Sequence, residues 1–164
     1  MNINEILLKC IEIDLRNIEL LNEYSKKYNY LSADKIMEKL NEDEEYIKLT
    51  IDNKKYRDDL ATTFQNSNFY LTGTVDENGF LVDIATVKKD DSIALFIYTS
   101  LDEILESKHY IEISYNDLRD YILSNKEIKR IIVNKNSSNV LLGKSNFIRG
   151  NMYGLLIKNK LELD

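Results

Sequence analysis

The sequence predicts an α+β fold in which N-terminal helices are followed by a mixed, partly antiparallel sheet with flanking helices. Three observations support this fold class. Residues 3–28 repeat apolar side chains with the period of a helix, and the period changes to that of strands after residue 68. Short capped helices then alternate with further strands, which is typical of an α+β domain.

The helix predicted over residues 3–28 has an unusually wide apolar side. Six charged side chains fall on one narrow stripe: Glu5, Lys9, Glu12, Arg16, Glu19 and Glu23. Nearly all other positions are apolar, so the apolar arc exceeds what one core contact requires. We therefore expect the helix to be buried on two sides, or to meet a partner with part of its arc. Asp14 and Asn17 interrupt the arc and mark its edge or a polar contact.

Two or three shorter helices follow the first one. Ser32 is the expected N-cap of the next helix, and Asn41, with Glu44 three residues later, is the expected cap of another. Residues 45–52 alternate like a strand, but the acidic run before them favours a helix, so both readings stay open here. Residues 54–66 are a clearer helix, because aromatic and aliphatic side chains recur every fourth residue at Tyr56, Leu60 and Phe64.

The middle of the chain predicts a three-stranded antiparallel meander. Asn78-Gly79 separates two β-prone runs, and this dipeptide is a strong signal for a hairpin turn. The two runs are Phe69–Val75 and Phe80–Val87, and the apolar run Ser92–Tyr98 follows as the expected central strand.

The last third of the chain predicts alternating short helices and strands. Ser100 and Glu103 form a capping box for a helix over 101–107, and Ser114 with Asp117 caps a helix over 115–124. Strands are expected at His109–Ser114 and Ile128–Val133, with a short apolar run at Val140–Leu142. We expect the tail from residue 145 to be ordered, because its many apolar side chains need a packing partner.

We expect a helical extension over residues 1–50 and an α+β domain over 51–164, packed as one unit. The net charge is −6 and the pI about 5.0, which disfavours nucleic-acid binding. No run approaches the length of a membrane span, so no membrane association is expected. A single cysteine and the lack of a signal-peptide pattern favour a cytoplasmic protein.

The sequence contains no catalytic constellation that we can identify, so we predict a protein that is not an enzyme and that needs no cofactor or metal. Gly143-Lys144-Ser145 resembles the end of a phosphate-binding loop, but Ser138 stands where that motif needs glycine. His109 is the only histidine, and triads and most zinc sites need more than one such group. Cys10 lies on the apolar arc, where an inert thiol is expected.

The stretch 91–134 resembles the SseB N-terminal domain family. It has an apolar strand ending Phe96-Ile97-Tyr98-Thr99-Ser100, then a helix, a strand, a helix and a strand ending Ile132-Val133-Asn134. The similarity extends over roughly residues 53–143. Ile97 and Tyr98 interrupt the family's Phe-Thr-Ser step, and Lys135 replaces its proline. The resemblance implies an α+β fold with a mixed sheet, no established enzymatic activity, and proximity of Asn134 to Thr99 and Ser100.

These features predict a non-catalytic protein-interaction domain that binds or neutralises a protein partner, or associates with itself as a homodimer through the first helix. The interaction residues expected from the sequence are Ile6, Cys10, Ile13, Tyr24, Tyr28, Thr99, Ser100 and Asn134. The alternative is a small-ligand binder or enzyme with a pocket of clustered carboxylates and tyrosines, formed by Asp83, Asp90, Tyr98, Tyr110 and Glu112. A structural subunit of a larger complex is a third possibility.

Overall fold

The computed structural model confirms the α+β class and describes residues 1–89, 91–104, 109–150, 152–154 and 156–159. Three helices, α1 (Ile3–Lys27), α2 (Ala33–Asn41) and α3 (Glu44–Gln65), precede the first strand. Eight strands and two further helices follow. They are β1 (Asn68–Val75), β2 (Leu81–Ile84), β3 (Thr86–Lys89), β4 (Ser92–Ile97), β5 (Tyr110–Ser114), α4 (Tyr115–Ser124), β6 (Ile128–Val133), β7 (Val140–Gly143), α5 (Lys144–Arg149) and β8 (Ile157–Lys158).

The first three helices begin at polar caps that satisfy otherwise unpaired backbone amides. The side chains of Asn2 and Ser32 accept hydrogen bonds from amides three residues later, as expected for N-caps. The predicted cap at Asn41 is wrong, because Asp43 caps α3 through the Tyr46 amide at 3.0 Å. Residues 45–52 are helical and belong to the same helix as 54–65, so one long helix replaces the two predicted.

The strands form two sheets that share a boundary near β1 and β4. One sheet has the order β2-β1-β5 and is antiparallel throughout. The other has the order β3-β4-β6-β7-β8, with β4 and β6 parallel and the remaining pairs antiparallel. Two backbone hydrogen bonds between Tyr70 and Tyr98, at 2.8 and 3.0 Å, join the sheets.

The predicted meander is therefore wrong in one respect. The Asn78-Gly79 hairpin pairs β1 with β2, and β3 pairs with β4, as expected for antiparallel neighbours. However, the run expected as a single strand over 80–87 divides at Ala85, and its two halves enter different sheets. The Ala85 amide donates a hydrogen bond to the Thr72 carbonyl of β1 at 2.8 Å. The chain therefore stays bonded to β1 at the point where it passes from one sheet to the other.

The helix predicted over 101–107 is also incorrect as far as it is described. Leu101–Glu103 form one 3₁₀ turn, and the Ser100 side chain makes no capping hydrogen bond. Residues 105–108 lie outside the described part of the chain. By contrast, Ser114 caps α4 through the Asp117 amide at 3.2 Å, as the sequence predicts.

The main core lies between the helices and one face of the sheets. It contains the inner side of α1 and the C-terminal half of α3, with Leu60 and Phe64 fully buried. The described part of the tail contributes Phe147, Met152 and Leu156, so the expected packing is confirmed for these residues. A smaller cluster around Phe96 and Ile132 covers the opposite face of β4 and β6.

A buried ion pair joins α1, α3 and the C-terminal segment. The Arg57 side chain is 1% exposed, and its guanidinium donates to the Asp14 carboxylate at 2.5 Å. The same guanidinium donates to the carbonyls of Met152 and Gly154 at 2.7 and 2.8 Å. Asp14 also accepts from the Leu156 amide at 3.4 Å. The hydrogen bonds of the guanidinium and the carboxylate offset the free-energy cost of burying this ion pair.

The first helix and the sheets share one core. Ile3, Leu7 and Cys10 pack in the same cluster as the strands, and the boundary expected after residue 50 falls inside α3. Among the helices of the described chain, none is long and apolar enough to cross a membrane.

The hairpin turn at Gly79 provides a test of the local backbone conformation. Gly79 has φ +83°, and an added Cβ would meet no atom within 4 Å. We expect Gly79→Ala to lower the free energy of unfolding by about 1 kcal/mol in urea denaturation, because only the left-handed conformation is penalised. Gly143→Ala is the matched control, because Gly143 has φ −76° and the nearest atom to a new Cβ is at 4.0 Å. It should stay within about 0.5 kcal/mol of the wild type. If the two substitutions lowered the free energy of unfolding equally, the left-handed conformation assigned to Gly79 in the turn would be contradicted.

Candidate functional site

Four aliphatic side chains along α1 are exposed to solvent, and we call them the α1 stripe: Leu8, Leu15, Ile18 and Leu21. Their exposed fractions are 39%, 56%, 47% and 41%. The opposite side of the helix is buried in the core. The wide apolar arc of α1 therefore splits into a buried side and a solvent-facing side.

The residues predicted from the sequence to form this surface are not the ones that do. Ile6, Cys10 and Ile13 are only 4%, 0% and 5% exposed, because they face the core and α3. Burial raises the pKa of the Cys10 thiol to about 11, so this thiol is protonated at neutral pH. The periodicity of α1 defined the arc correctly, but it could not show which part of the arc the rest of the chain covers.

A shallow apolar groove runs beside the stripe. Leu15 and Ile18 form one wall, and the C-terminal segment around Leu156 and Ile157 forms the other. The groove has a volume of about 200 Å³ and is lined by Ile11, Asp14, Leu15, Ile18, Leu156, Ile157 and Lys158. Ile157 is itself 42% exposed and lies on the edge strand β8, so the apolar surface continues from the helix onto the sheet edge.

The spacing of the groove and stripe residues matches a helix-packing seam. Leu8, Ile11, Leu15 and Ile18 are separated by three, four and three residues. This is the alternation that places side chains toward a second helix in a coiled coil. Ile11, at 6% exposure, forms the floor of the groove beside Leu15 and Ile18, and Leu8 continues the same spacing toward the N-terminus of α1.

An acidic row borders the stripe on one side. Glu12 and Glu19 have side chains that are 68% and 64% exposed. Arg16 lies behind this row and bonds Glu45 at 2.7 Å, and also Glu19 and Glu23, each at 3.1 Å. Hydrogen bonding to Arg16 lowers the pKa of the Glu45 carboxyl. The Arg16 guanidinium is therefore already shared among several carboxylates.

The predicted tyrosines Tyr24 and Tyr28 lie at the end of α1 and are half-buried. The Tyr24 hydroxyl donates to the Asp43 carboxylate at 2.5 Å, which raises the pKa of Tyr24 to about 12. Tyr28 packs against Tyr24 with ring centroids 5.8 Å apart, and the Lys39 ammonium lies 4.8 Å from its ring centre. These contacts connect the end of α1 to the start of α3 through Tyr24 and to α2 through Tyr28, so both tyrosines have a structural role.

The structure brings Thr99, Ser100 and Asn134 together at the carboxyl ends of the parallel strands β4 and β6. Asn134 is fully buried, accepts from the Thr99 amide at 3.0 Å and donates to the Thr99 hydroxyl at 2.8 Å. The proximity expected from the sequence is therefore confirmed. Asn4 of α1 also belongs to this polar junction, since it accepts from Asn134 at 2.7 Å and donates to Glu103 at 2.9 Å.

The polar junction adjoins an open cavity of about 330 Å³ lined by Asn2, Ile3, Asn4, Thr63, Thr99, Ser100 and Glu103. Carboxyl ends of parallel strands are common ligand sites. Here, however, the Glu103 carboxylate already accepts hydrogen bonds from Asn4 and from the Ser137 hydroxyl at 2.6 Å. A polar ligand would have to displace these bonds, so the junction acts first as a link between α1 and the sheet.

Three of the remaining candidates, Tyr98, Tyr110 and Glu112, surround Tyr70. The Tyr70 ring lies 5.8 Å from the Tyr110 ring, Tyr70 pairs with Glu112 between β1 and β5, and it packs against the smaller core that contains Tyr98. Tyr98 is 3% exposed inside the smaller core, whereas Tyr110 and Glu112 lie exposed on the edge strand β5. Asp90 and the Asp83 side chain lie outside what the structure describes. Lys144 donates to the Asn125 carbonyl at 3.0 Å and starts a helix of only six residues. Within the described ranges, no group of three or more His, Cys, Asp or Glu side chains could hold a metal ion.

Replacing Asn134 tests whether the polar junction stabilises the fold. We expect Asn134→Ala to lower the free energy of unfolding by about 2–4 kcal/mol in urea, because it leaves partly buried groups of Thr99 and Asn4 without their partners. Asn134 also has φ +52°, so Asn134→Gly should recover about 1 kcal/mol of that loss. Asn136→Ala, which removes one exposed hydrogen bond to the Glu103 carbonyl, should cost about 0.5 kcal/mol. An Asn134→Ala protein as stable as Asn136→Ala would disprove the role given to the junction.

Comparisons with protein-family models, with curated proteins and with solved structures found no match to this chain. The SseB-like resemblance therefore stays a prediction, and the functional argument depends on the geometry of the α1 stripe.

Proposed function

We propose that this chain is a non-catalytic protein-interaction domain that binds a protein partner through the α1 stripe. The observation that carries the proposal is the set of four aliphatic side chains along one helix, each between 39% and 56% exposed. Contiguous exposed apolar surface with a polar border is typical of protein-binding sites.

The contacts that hold α1 in place support the α1 stripe as the binding surface. The Asp14–Arg57 pair and the core contacts of Ile3, Leu7 and Cys10 hold the inner side of α1. The stripe can thus be covered or exposed without any change in the core. Pre-organised surfaces of this kind lose little conformational entropy when a partner binds.

A comparison of two surface variants as baits tests the proposal. The stripe variant carries Leu15→Ser and Ile18→Ser, and the control variant carries Ile47→Ser and Ile51→Ser. Ile47 and Ile51 are also exposed, at 45% and 65%, but they lie on α3 away from the stripe. In capture from a lysate of the source cells, we expect one protein that binds the wild type and the control but not the stripe variant. Loss of two buried apolar contacts should weaken binding by roughly a hundredfold.

Circular dichroism and urea unfolding should show both variants folded, because all four substituted side chains are exposed. Identical sets of captured proteins for the stripe variant and the wild type would overturn the proposal. A homodimer is the alternative occupant, and sedimentation of the purified wild type beside the stripe variant detects it directly.

A further inference from the structure

We infer that the partner presents an amphipathic helix whose apolar seam is bordered by lysine or arginine side chains. This inference rests on the proposed function and adds the chemistry of the partner. It follows from the spacing of the seam residues and from the charge on its two borders.

The spacing of the seam favours a helix over an extended strand. The exposed seam residues Leu8, Leu15 and Ile18 are separated by seven and three residues, so they match a second helix lying along α1. A strand presents side chains to one face with a period of two and would meet only some of these positions. The sheet edge beside the groove offers the two-residue strand Ile157–Lys158, which is too short to template a paired strand.

The border of the seam is acidic along the same stretch. Glu5, Glu12 and Glu19 follow one another at intervals of seven residues, on the side of α1 away from β8. Together with Glu23 and Glu45 they are five carboxylates against the two cations Lys9 and Arg16, which leaves a local charge of −3. On the opposite border, the Lys158 ammonium donates to the Ser138 carbonyl, and Asp14 is paired with Arg57.

The same border disfavours a second copy of the chain as occupant. In a symmetric antiparallel pair centred on the seam, the glutamate row of one copy would face the glutamate row of the other. Like charges brought together across an interface oppose association. A partner with basic side chains at the facing positions instead gains favourable pairing along the whole row.

Two designed peptides test the inference by fluorescence anisotropy. Each is a labelled three-heptad helix with leucine along its seam, and the bordering positions carry lysine in one peptide and glutamate in the other. At low salt we expect the lysine peptide to bind the wild type at least about tenfold more tightly than the glutamate peptide. The difference should shrink as salt is added, because the charges are exposed.

Protein variants identify where and how the lysine peptide binds. Leu15→Ser with Ile18→Ser should abolish its binding, whereas the Ile47→Ser with Ile51→Ser control should not. Glu12→Gln with Glu19→Gln should weaken it about three- to tenfold. The charge-matched control Glu38→Gln with Glu42→Gln removes two exposed carboxylates from α2 and its C-cap, and should change the affinity less than twofold.

The possible outcomes separate this inference from the proposed function. If both peptides bind equally and both are lost with the Leu15→Ser, Ile18→Ser variant, the stripe binds helices but the basic partner is wrong. If neither peptide binds and the wild type forms a dimer that this variant dissociates, a second copy is the occupant and the inference fails. If the lysine peptide binds the Leu15→Ser, Ile18→Ser variant as well as the wild type, both the inference and the use of the stripe fail.

Discussion

The buried pair of Asp14 and Arg57 is the contact on which the arrangement of this molecule depends. The Arg57 side chain donates four hydrogen bonds with nitrogen-to-oxygen distances of 3.2 Å or less. Their acceptors belong to α1, α3 and the segment 152–154. A buried guanidinium needs such partners, because an unpaired charge in the core is strongly destabilising. Three separate parts of the chain are therefore fixed relative to one another by a single side chain.

This contact also explains why one side of α1 stays exposed. Asp14 faces inward and accepts from the Leu156 amide, so the C-terminal segment lies beside the helix and forms the far wall of the groove. Beside this segment, Leu15 and Ile18 are 56% and 47% exposed. The polar junction of Asn4, Thr99 and Asn134 holds the other end of α1 in the same way. The exposed stripe thus lies on a helix that is held at both ends.

Local signals in the sequence predict where helices and strands lie better than they predict which elements pack or pair with one another. Ser32, Ser114 and the Asn78-Gly79 turn each determine a boundary through their own backbone hydrogen bonds or conformation, and all three were predicted. Asp14 was recognised as a polar break in the arc, but nothing marked Arg57 as its partner, because the two residues are 43 positions apart. The division of the second β-run at Ala85 depends on pairing with both β1 and β4, and periodicity along one strand contains no such information. For the same reason, periodicity alone favours Ile6, Cys10 and Ile13 as interaction residues, whereas the structure buries them and exposes Leu15 and Ile18.

A double-mutant cycle on Asp14 and Arg57 tests this account most directly. The variants are Asp14→Ala, Arg57→Met and their combination, each measured by urea unfolding. Each single substitution should cost about 3–5 kcal/mol, and the double should cost less than the sum by about 1.5–3 kcal/mol. The exposed pair Lys54–Asp58, with side chains 73% and 50% exposed, is the control, and its cycle should give a coupling below about 1 kcal/mol. Additive effects at Asp14 and Arg57, within about 0.5 kcal/mol, would contradict the claim that this pair holds the fold together.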